Sequence, residues 1–374
     1  MLYIKIFILF NIVLYSFGLL FFIIGVLKSK KKIYSLDINN DLNASVIVCV
    51  KNGESSLPNI LKDLSNQIYN SKIEFIIVDD NSFDNTKVII NEFVSKDNRF
   101  KYVHSLDGFE NLKFKKRALD AGIKFSKYDY LLFTDVDCRV GNNWAQSIAN
   151  NFINGSDYVI GYSKVANGSK FVSKFQQIDF MMLMYATLGS TTLKYPIAST
   201  GQNQAYKKAL FKYVDGFNKI SHLMQGDDSI FLNICKKSTN TVINFSKNPS
   251  SFVKSKVHTS WKDFILQRAR WAGDANIMWK YNKLFFIYIL STFFINLFLF
   301  LSPFLFFILG KLIVIAYLLK LIFELLLYIT GTYKFNESLN ILLFLKWFLL
   351  QPMYVFFMGI FSFYQNNINW RNSK

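Results

Sequence analysis

The sequence predicts an α/β domain with a mostly parallel β-sheet, flanked at both ends of the chain by membrane segments. Between residues 35 and 280, short β-rich runs alternate with helical ones, as expected when helices cover a parallel sheet. Long apolar runs occupy both ends of the chain and account for its 52% hydrophobic and 18% aromatic residues. We therefore divide the chain into an N-terminal anchor (1–32), an α/β domain with interface helices (33–283) and a C-terminal membrane region (284–374).

The N-terminal apolar run extends from about Ile6 to Leu27, which is long enough to span a bilayer as one helix. Its positive charge follows the run, from Lys28 to Lys32, whereas a signal peptide carries its charge before the apolar stretch. By the positive-inside rule these lysines stay in the cytoplasm. We therefore predict an uncleaved anchor, after which the chain continues on the cytoplasmic face.

Polar residues follow the predicted strands of the central region. The predicted strands are Ala44–Val50, Glu74–Val78 and Tyr130–Thr134, and the first predicted helices are Leu57–Gln67 and Thr86–Phe93. After the strands come Lys51 and Asn52, then Asp79 and Asp80, then Asp135 and Asp137. Ligands of such sheets bind outside the carboxyl ends of the strands, so these polar residues are candidates for a binding site.

The C-terminal region contains three apolar runs, and we expect two to four transmembrane or interfacial helices there. The runs are Leu284–Leu309, Leu312–Thr330 and Ile341–Phe363, separated at Pro303, at Gly310-Lys311 and by the polar loop 331–340. Lys320 and Glu324 lie four residues apart in the second run. This spacing predicts either an ion pair inside the membrane or a shallower segment at the membrane interface. Three full spans would place the basic tail outside, whereas two spans and a re-entrant piece would keep it inside.

Charge and cysteine content limit the partners of the central domain. Lys and Arg total 43 against 25 Asp and Glu, and the net charge of +18 suits an anionic partner such as phospholipid or a nucleotide diphosphate. Nucleic acid is disfavoured, because the sequence has no zinc-spaced cluster or aromatic RNA-binding motif. The three cysteines are widely spaced and odd in number, which indicates free thiols in a reducing compartment.

Asp135 and Asp137 form a D-x-D motif directly after an apolar strand. In an extended chain their side chains point to the same side, where two carboxylates can hold a hard divalent cation such as Mg²⁺ or Mn²⁺. Such a cation would neutralise a diphosphate. The motif alone is common in solvated turns, so its meaning depends on the segments around it.

Those segments resemble, in order and spacing, the family 2 glycosyltransferases with the GT-A fold, a Rossmann-like fold. They are Ser45–Glu54, Glu74–Thr86, Lys115–Ile123, Asp135–Asp137, Gly201–Tyr206, Gly226–Asp228 and Gln267–Trp271. The resemblance covers roughly residues 42–275, and the apolar flanks are similar to those of the membrane-integral members. The tail Trp370-Arg371 also resembles a Trp-basic ending seen in some of them.

The resemblance implies a site for a nucleotide-sugar donor. Asp80 is expected to hydrogen-bond the nucleotide base, expected to be uracil, with Asn52 and Glu54 lining the same pocket. The resemblance also implies that Asp135 and Asp137 place Mg²⁺ or Mn²⁺ on the diphosphate, with Asp137 the more direct ligand. The other residues expected at the donor are Asp79, Lys116, Gly201 and Asn203.

Asp228, with Asp227 beside it, matches the general base of the family, which usually has Glu-Asp at these positions. Gln267, Arg270 and Trp271 match its Q-x-x-R-W motif, which closes over the diphosphate and the acceptor. A sugar hydroxyl is a poor nucleophile, so a carboxylate must take its proton during the attack. With one base and no enzyme nucleophile, a single displacement inverts the anomeric configuration.

Two segments have apolar residues on one broad helix face: Phe171–Leu188 and the residues around Gln267, among them Trp261 and Phe264. Such a stripe is typical of a helix packed on a core, and it is also typical of a helix in the bilayer interface. Because the domain is tethered at both ends, we expect at least one of the two at the interface.

The expected function is therefore transfer of one sugar from a nucleotide donor, expected to be UDP-linked, to a membrane lipid or lipid-linked acceptor. A processive polysaccharide synthase is the first alternative, since Q-x-x-R-W also occurs there. A non-catalytic membrane scaffold with a degenerate nucleotide-binding domain is the second. The intact set of Asp80, Asp135, Asp137 and Asp228 favours an enzyme over the scaffold. The sugar, the acceptor and the oligomeric state are not predicted.

Overall fold

The computed structural model describes residues 2–30, 42–238 and 240–363, which form two compact units. The sheet unit comprises the described residues within 31–166 and 198–256, and the helical unit those within 1–30, 167–197 and 257–369. Residues 167–197 and 257–283, which the sequence places with the α/β domain, thus group with the apolar helices. The tail residues Trp370 and Arg371 lie outside the described residues.

The sheet unit contains a seven-stranded and a three-stranded sheet. Its strands are β1 (Ala44–Val50), β2 (Ile73–Asp79), β3 (Phe100–His104), β4 (Tyr130–Phe133), β5 (Arg139–Val140), β6 (Tyr158–Gly161), β7 (Ser163–Val165), β8 (Gln204–Lys207), β9 (Ile243–Ser246) and β10 (Val253–Ser255). The large sheet has the order β3-β2-β1-β4-β8-β6-β9, and β8 runs antiparallel to both of its neighbours. The other neighbouring strands are parallel, so the predicted mostly parallel sheet is confirmed.

The described α-helices alternate with strands, as predicted, up to β10, and four helices then follow one another without a strand among the described residues. They are α1 (Leu2–Lys28), α2 (Leu57–Ser65), α3 (Thr86–Lys96), α4 (Lys115–Phe125), α5 (Trp144–Ile153), α6 (Phe171–Thr192), α7 (Lys208–Tyr213), α8 (Ser229–Ser238), α9 (Trp261–Tyr281), α10 (Lys283–Phe300), α11 (Ser302–Phe335) and α12 (Ile341–Phe361). Short 3₁₀ segments cover Ser105–Asp107, Asn218–Ile220 and Pro249–Ser251. Helices α1, α6 and α9 to α12 belong to the helical unit, and the others belong to the sheet unit.

Burial on both faces explains why β1 and β2 are almost entirely apolar. Helix α4 packs closely on these two strands, since a Cβ at Gly122 would lie 2.7 Å from Cγ2 of Ile47 and 3.0 Å from Cγ2 of Val78. Glycine at this position therefore lets the helix approach the sheet. The close packing fixes where α4 begins relative to the polar loops that follow the strands.

Four helices of the helical unit are long and apolar enough to cross a membrane: α1, α10, α11 and α12. One continuous helix, α11, runs through Gly310 and Lys311, where the sequence predicts a boundary. The chain does break beside Pro303, where the sequence also predicts an interruption: α10 ends at Phe300, and Pro303 stands in the first turn of α11. The boundary predicted at Gly310-Lys311 is wrong because a single glycine or lysine does not end a helix, whereas proline is favoured in a first turn.

Lys320 and Glu324 form an ion pair inside the helical unit. Nζ lies 2.9 Å from Oε2, and both side chains are 1% exposed. Lys320 also donates to Oε1 of Gln351 on α12, while the Tyr15 hydroxyl on α1 donates to Oε1 of Glu324. Of the two interpretations drawn from the sequence, the structure supports the buried pair, which connects α1, α11 and α12.

Candidate active site

Chain segments that are distant in the sequence bring the predicted metal ligand Asp135 and the predicted catalytic residue Asp227 to one lysine, Lys115. Lys115 begins α4, Asp135 follows β4, Gly201 precedes β8 and Asp227 precedes α8. The Lys115 Nζ lies 2.8 Å from Oδ1 of Asp135 and 3.3 Å from Oδ2 of Asp227. A Cβ at Gly201 would lie 3.0 Å from the same Nζ, so glycine leaves room for the ammonium. We call the four carboxylates of this region the acidic cluster: Asp135, Asp137, Asp227 and Asp228.

The D-x-D motif offers ligand atoms for a cation after β4. A carboxylate oxygen of Asp135, one of Asp137 and the sulfur of Cys138 lie within 4.8 Å of one another. Both carboxylates are half-buried. Burial, together with the two nearby carboxylates, raises the pKa of the Cys138 thiol well above its usual range. A protonated thiol is a poor ligand and hard cations prefer oxygen, so the two carboxylates are the groups that fit Mg²⁺ or Mn²⁺.

Asp228 has the protonation behaviour of a general base that works near neutral pH. Burial, followed by the charge of Asp227, raises the pKa of its carboxyl from 3.8 to about 6. The backbone N–H groups of Ser229 and Gly201 donate to its two oxygens, the second at 3.3 Å, and they oppose the rise. The carboxylate is therefore ionised at pH 7, yet it binds a proton more readily than an exposed aspartate does.

Lys115 carries a fixed positive charge beside these carboxylates. Burial disfavours its ammonium, but Asp135 and Asp227 outweigh burial and raise the pKa of Lys115 well above its usual range. The side chain is 18% exposed and is held in place by the two ion pairs. A charge that is already positioned needs little reorganisation when an anionic ligand arrives.

Lys116, which the sequence places at the donor, points into the protein. Its side chain is fully buried, and Nζ donates to the carbonyl oxygens of Leu223 and, at 3.3 Å, of Gln225. Lys116 thus supports the loop that leads to Asp227. Lys115, rather than Lys116, is therefore the lysine of these two that lies beside the acidic cluster.

The loops after β1 and β2, which contain the predicted base pocket, are tied to each other. The Asn52 Oδ1 accepts from the Phe83 N–H at 2.9 Å, and the Asn52 N–H donates to the Ser82 Oγ at 2.9 Å. Glu54 Oε2 accepts from the Asn85 N–H and side-chain amide at 3.1 and 3.0 Å. Asn52 adopts φ of +49°, a left-handed conformation that asparagine tolerates.

The two aspartates at the end of β2 differ in their partners. Asp79 is buried and accepts from the Ser82 N–H at 3.1 Å and from the Tyr102 hydroxyl at 3.2 Å. The Asp80 carboxylate is half-buried and makes no hydrogen bond within the described residues. Asp80 is therefore the member of this pair that can bind a ligand, while Asp79 holds the loop.

Asn203 is completely buried, and its side chain is already bonded within the protein. Oδ1 accepts from the Trp144 indole N–H at 3.1 Å, and Nδ2 donates to the carbonyl oxygens of Tyr162 and Ser251 at 2.9 and 2.8 Å. The sequence places this residue at the donor, but its side chain has no surface for a substrate. We therefore give Asn203 a structural role behind the acidic cluster.

The Q-x-x-R-W residues lie on α9 of the helical unit. Gln267, Arg270 and Trp271 are all half-buried there. Between them stands Arg268, whose guanidinium carbon lies 4.1 Å from the centroid of the Trp271 ring. Arg268 forms an ion pair with Asp179, which the sequence-based reasoning missed. The feature of the sequence that could have indicated this pair is a lone acidic residue in the otherwise largely apolar stretch 178–184.

The chain matches two models of sugar-transferring enzymes. Residues 45–214 match the model described as glycosyl transferase family 2, and residues 130–360 match the one described as glycosyl transferase family group 2. The second match covers more than half of the chain.

Two curated relatives are similar over part of their length. The probable glycosyltransferase YdaM of Bacillus subtilis (strain 168) is 25% identical over 269 residues, which are 68% of this chain and 62% of YdaM. Poly-beta-1,6-N-acetyl-D-glucosamine synthase of Staphylococcus aureus (strain COL) is 29% identical over 168 residues, 43% of this chain and 39% of the synthase. The match therefore spans less than two thirds of either relative.

One solved structure aligns over nearly the whole chain. The mannosyltransferase PcManGT from Pyrobaculum calidifontis, solved in complex with GDP-Man and Mn²⁺, gives a TM-score of 0.55 at 15% identity. The alignment covers 98% of this chain and 99% of that one. At this identity the likeness shows the fold alone.

Proposed function

Because this chain belongs to glycosyltransferase family 2 and has the GT-A fold, we propose that it transfers a sugar from a nucleotide-sugar donor to a membrane lipid or lipid-linked acceptor. The observation that carries the proposal is the acidic cluster, in which Asp228 has a pKa of about 6 and Lys115 joins Asp135 to Asp227. These groups supply a base and a positive charge, the two elements that displacement of a diphosphate needs.

The reaction would proceed as a single displacement at the anomeric carbon. The acceptor oxygen forms the new bond to this carbon while Asp228 takes the hydroxyl proton. The bond from the anomeric carbon to the phosphate oxygen breaks, and its electron pair leaves with the nucleoside diphosphate. Attack and departure on opposite faces invert the configuration.

The remaining residues would bind and orient the donor. Asp80 would accept a hydrogen bond from the base, expected to be uracil, and the Lys115 ammonium would face the diphosphate. Asp135 and Asp137 fit Mg²⁺ or Mn²⁺, which would supply further positive charge to the diphosphate when bound. Arg270 would add a fixed charge, and Gln267 and Trp271 would contact the acceptor.

The membrane location of the acceptor is supported by the four apolar helices. Lys28 ends α1 and Lys30 follows it, so the positive-inside rule would place the start of the sheet unit in the cytoplasm. If α10 to α12 each cross the membrane, both ends of the chain lie outside. The nucleotide sugar would then be taken from the cytoplasm, and the acceptor from the bilayer.

The test is to measure binding and turnover of UDP-N-acetylglucosamine, UDP-glucose and GDP-mannose by the detergent-purified chain, with and without Mn²⁺. We expect one donor to be used, with activity that a chelator removes and Mn²⁺ or Mg²⁺ restores. The Asp228→Asn variant should bind the donor but not transfer the sugar, whereas Asp129→Asn, on an exposed loop, serves as the matched control. Folded protein that binds no donor would overturn the proposal in favour of a scaffold.

The similarity to a polysaccharide synthase favours a processive enzyme as the second candidate. Extraction of a radiolabelled product separates the two. Label in the organic phase supports a lipid acceptor, while label only in material of high molecular mass would show that the enzyme is processive.

A further inference from the structure

Arg268 contacts both ends of the Q-x-x-R-W motif. Its Nη1 donates to Oε1 of Gln267 at 3.2 Å, and its guanidinium lies over the Trp271 ring, 4.1 Å from the centroid. Trp271 follows Arg268 by three residues, so the two side chains share one face of α9. Phe180 of α6 contacts both residues: its ring centroid lies 5.6 Å from that of Trp271 and 5.7 Å from the guanidinium carbon of Arg268.

Arg268 is itself fixed by a buried carboxylate. Its Nε donates to Oδ2 of Asp179 on α6 at 2.7 Å, and the side chains of Arg268 and Asp179 are 4% and 10% exposed. The guanidinium also lies 5.0 Å from the ring centroid of Phe264, which stacks on Tyr354 of α12. A pair this deep in an apolar environment has a strongly preferred geometry, because either charge without its partner would be costly.

The contact with Arg268 also orients the amide of Gln267. A guanidinium has only donors, so the atom of Gln267 that faces it must be the carbonyl oxygen. The amide NH₂ group therefore points away from Arg268 and is presented as a donor. An acceptor hydroxyl oxygen can accept this hydrogen bond while its proton is directed elsewhere.

We infer that the Asp179–Arg268 pair is a positioning device for the Q-x-x-R-W motif within the helical unit. It sets the Gln267 amide and the Trp271 ring in the orientation that receives the acceptor, although neither Asp179 nor Arg268 touches the reacting atoms. This inference rests on the proposed function, in which Gln267 and Trp271 contact the acceptor. A pair that serves stability alone would not be needed once both charges are replaced by apolar groups.

The decisive variant is the double substitution Asp179→Leu with Arg268→Met. Replacing both members of a buried ion pair by apolar residues of similar volume is often neutral or stabilising. We therefore expect Tm in detergent to stay near that of the unmodified chain, whereas Asp179→Asn alone lowers it. If the pair positions the motif, the double variant folds but still has a lower kcat/KM for the acceptor.

A spectroscopic measurement needs no substrate. The full chain is labelled with 5-fluorotryptophan, and the ¹⁹F resonance of Trp271 is assigned with Trp271→Phe. In the double variant we expect this resonance to shift, because the ring has lost its guanidinium neighbour, while the resonance of Trp144 in the sheet unit stays in place. An unmoved Trp271 resonance would overturn the inference whether or not the protein is a transferase.

The kinetic measurement uses the donor found active and micelles of diacylglycerol or polyprenyl phosphate as acceptor probes. In the double variant we expect kcat/KM for the acceptor to fall on the order of 10- to 100-fold while KM for the donor changes by less than about twofold. Glu324→Gln is the control, since it disturbs another buried pair of the helical unit. Glu324→Gln should lower Tm without changing the ratio of KM for the acceptor to KM for the donor.

Two results would contradict the inference in this kinetic test. If kcat/KM for the acceptor in the double variant equals that of the unmodified chain, the pair only stabilises the fold. An equal rise of both KM values would mean that the pair acts on the whole site rather than on the acceptor. If no donor is used by the unmodified chain, the proposed function fails, and the fluorine measurement then tests only whether Arg268 contacts the Trp271 ring in the folded chain.

Discussion

At the scale of single residues, neighbouring groups shift the pKa values of Asp228, a member of the acidic cluster, and of Lys115 beside it. Asp228 is destabilised as an anion by burial and by Asp227, while Lys115 is stabilised as a cation by Asp135 and Asp227. The Asp228 carboxylate and the Lys115 ammonium are therefore both charged at neutral pH, as the proposed roles of base and cation require. The loops that hold these residues come from separate parts of the chain, so their proximity depends on the fold.

The first prediction concerns pH. The pKa of Asp228 is raised to about 6, so the carboxyl is protonated below this pH and cannot take the acceptor proton. The transfer rate should therefore rise with pH through about 6 and level off above it. Initial rates from about pH 4.5 to about pH 8 check this, and a rate that is flat through pH 6 would contradict it.

The same shift has a consequence for stability. A carboxyl whose pKa is higher in the folded chain than the ordinary 3.8 binds protons more tightly there, so its effect on stability becomes less favourable as pH rises from about 4 to about 6. Asp228→Asn removes this effect. We expect its Tm at pH 7 to exceed that of the unmodified chain, although transfer is lost.

The second prediction concerns Lys115. In Lys115→Met the carboxylates of Asp135 and Asp227 lose the cation that separates them, and the diphosphate loses a fixed charge. We expect kcat/KM for the donor to fall on the order of 10²- to 10³-fold. Lys124→Met, on the same helix with a half-exposed ammonium, is the control and should leave the kinetics unchanged. Equal kinetics for the two variants would exclude a role of Lys115 at the donor.

At the scale of elements, local patterns predict three strands, β1, β2 and β4, together with the apolar helices, and long-range packing decides the pairing of the other described strands. β1 begins and ends at the predicted residues, because a run buried on both faces is apolar throughout. The interruption at Pro303 coincides with the start of α11, but the boundary predicted at Gly310-Lys311 is wrong, because neither residue ends a helix by itself. The ion pair of Asp179 on α6 with Arg268 on α9 could not be predicted from the local sequence, in which Asp179 is only a single charged residue in an apolar stretch.

The third prediction belongs to α11. Lys320→Met leaves Glu324 buried without its partner, and this should destabilise the helical unit by about 3–5 kcal/mol. Lys320→Met combined with Glu324→Leu should recover most of this loss. Thermal unfolding in detergent compares the two variants. A double variant as unstable as the single one would mean that the contacts with Tyr15 and Gln351, rather than charge compensation, hold the helices together.

At the scale of the whole molecule, the chain enters each unit more than once. The segments 167–197 and 257–283 lie within the predicted α/β range but group with the apolar helices. The sequence predicted the parallel sheet, the apolar ends and the neighbourhood of the acidic cluster. It did not predict the roles of Lys116 and Asn203, because a motif position does not reveal which way a side chain points.

The fourth prediction concerns topology. Four membrane spans starting outside would place Lys30 and the loop at Ser338 in the cytoplasm, with Tyr3 outside. Single cysteines at these positions, in a background with the native cysteines replaced by serine, can be probed with an impermeant maleimide. We expect Tyr3→Cys to react in intact cells, and Lys30→Cys and Ser338→Cys to react only after permeabilisation. Reaction of Ser338→Cys in intact cells would contradict the four-span arrangement.

The position of β8 has a consequence for synthesis on the ribosome. β8 lies between β4 and β6, yet it follows both in the chain and comes after α6. A nascent chain that has emerged only to residue 166 therefore presents β4 with one unpaired edge and β6 with neither neighbour in place. Unpaired edges invite association with other chains. The sheet becomes complete only after α6 has been made, so translation stalled between β6 and β8 should yield an aggregation-prone fragment rather than a folded half.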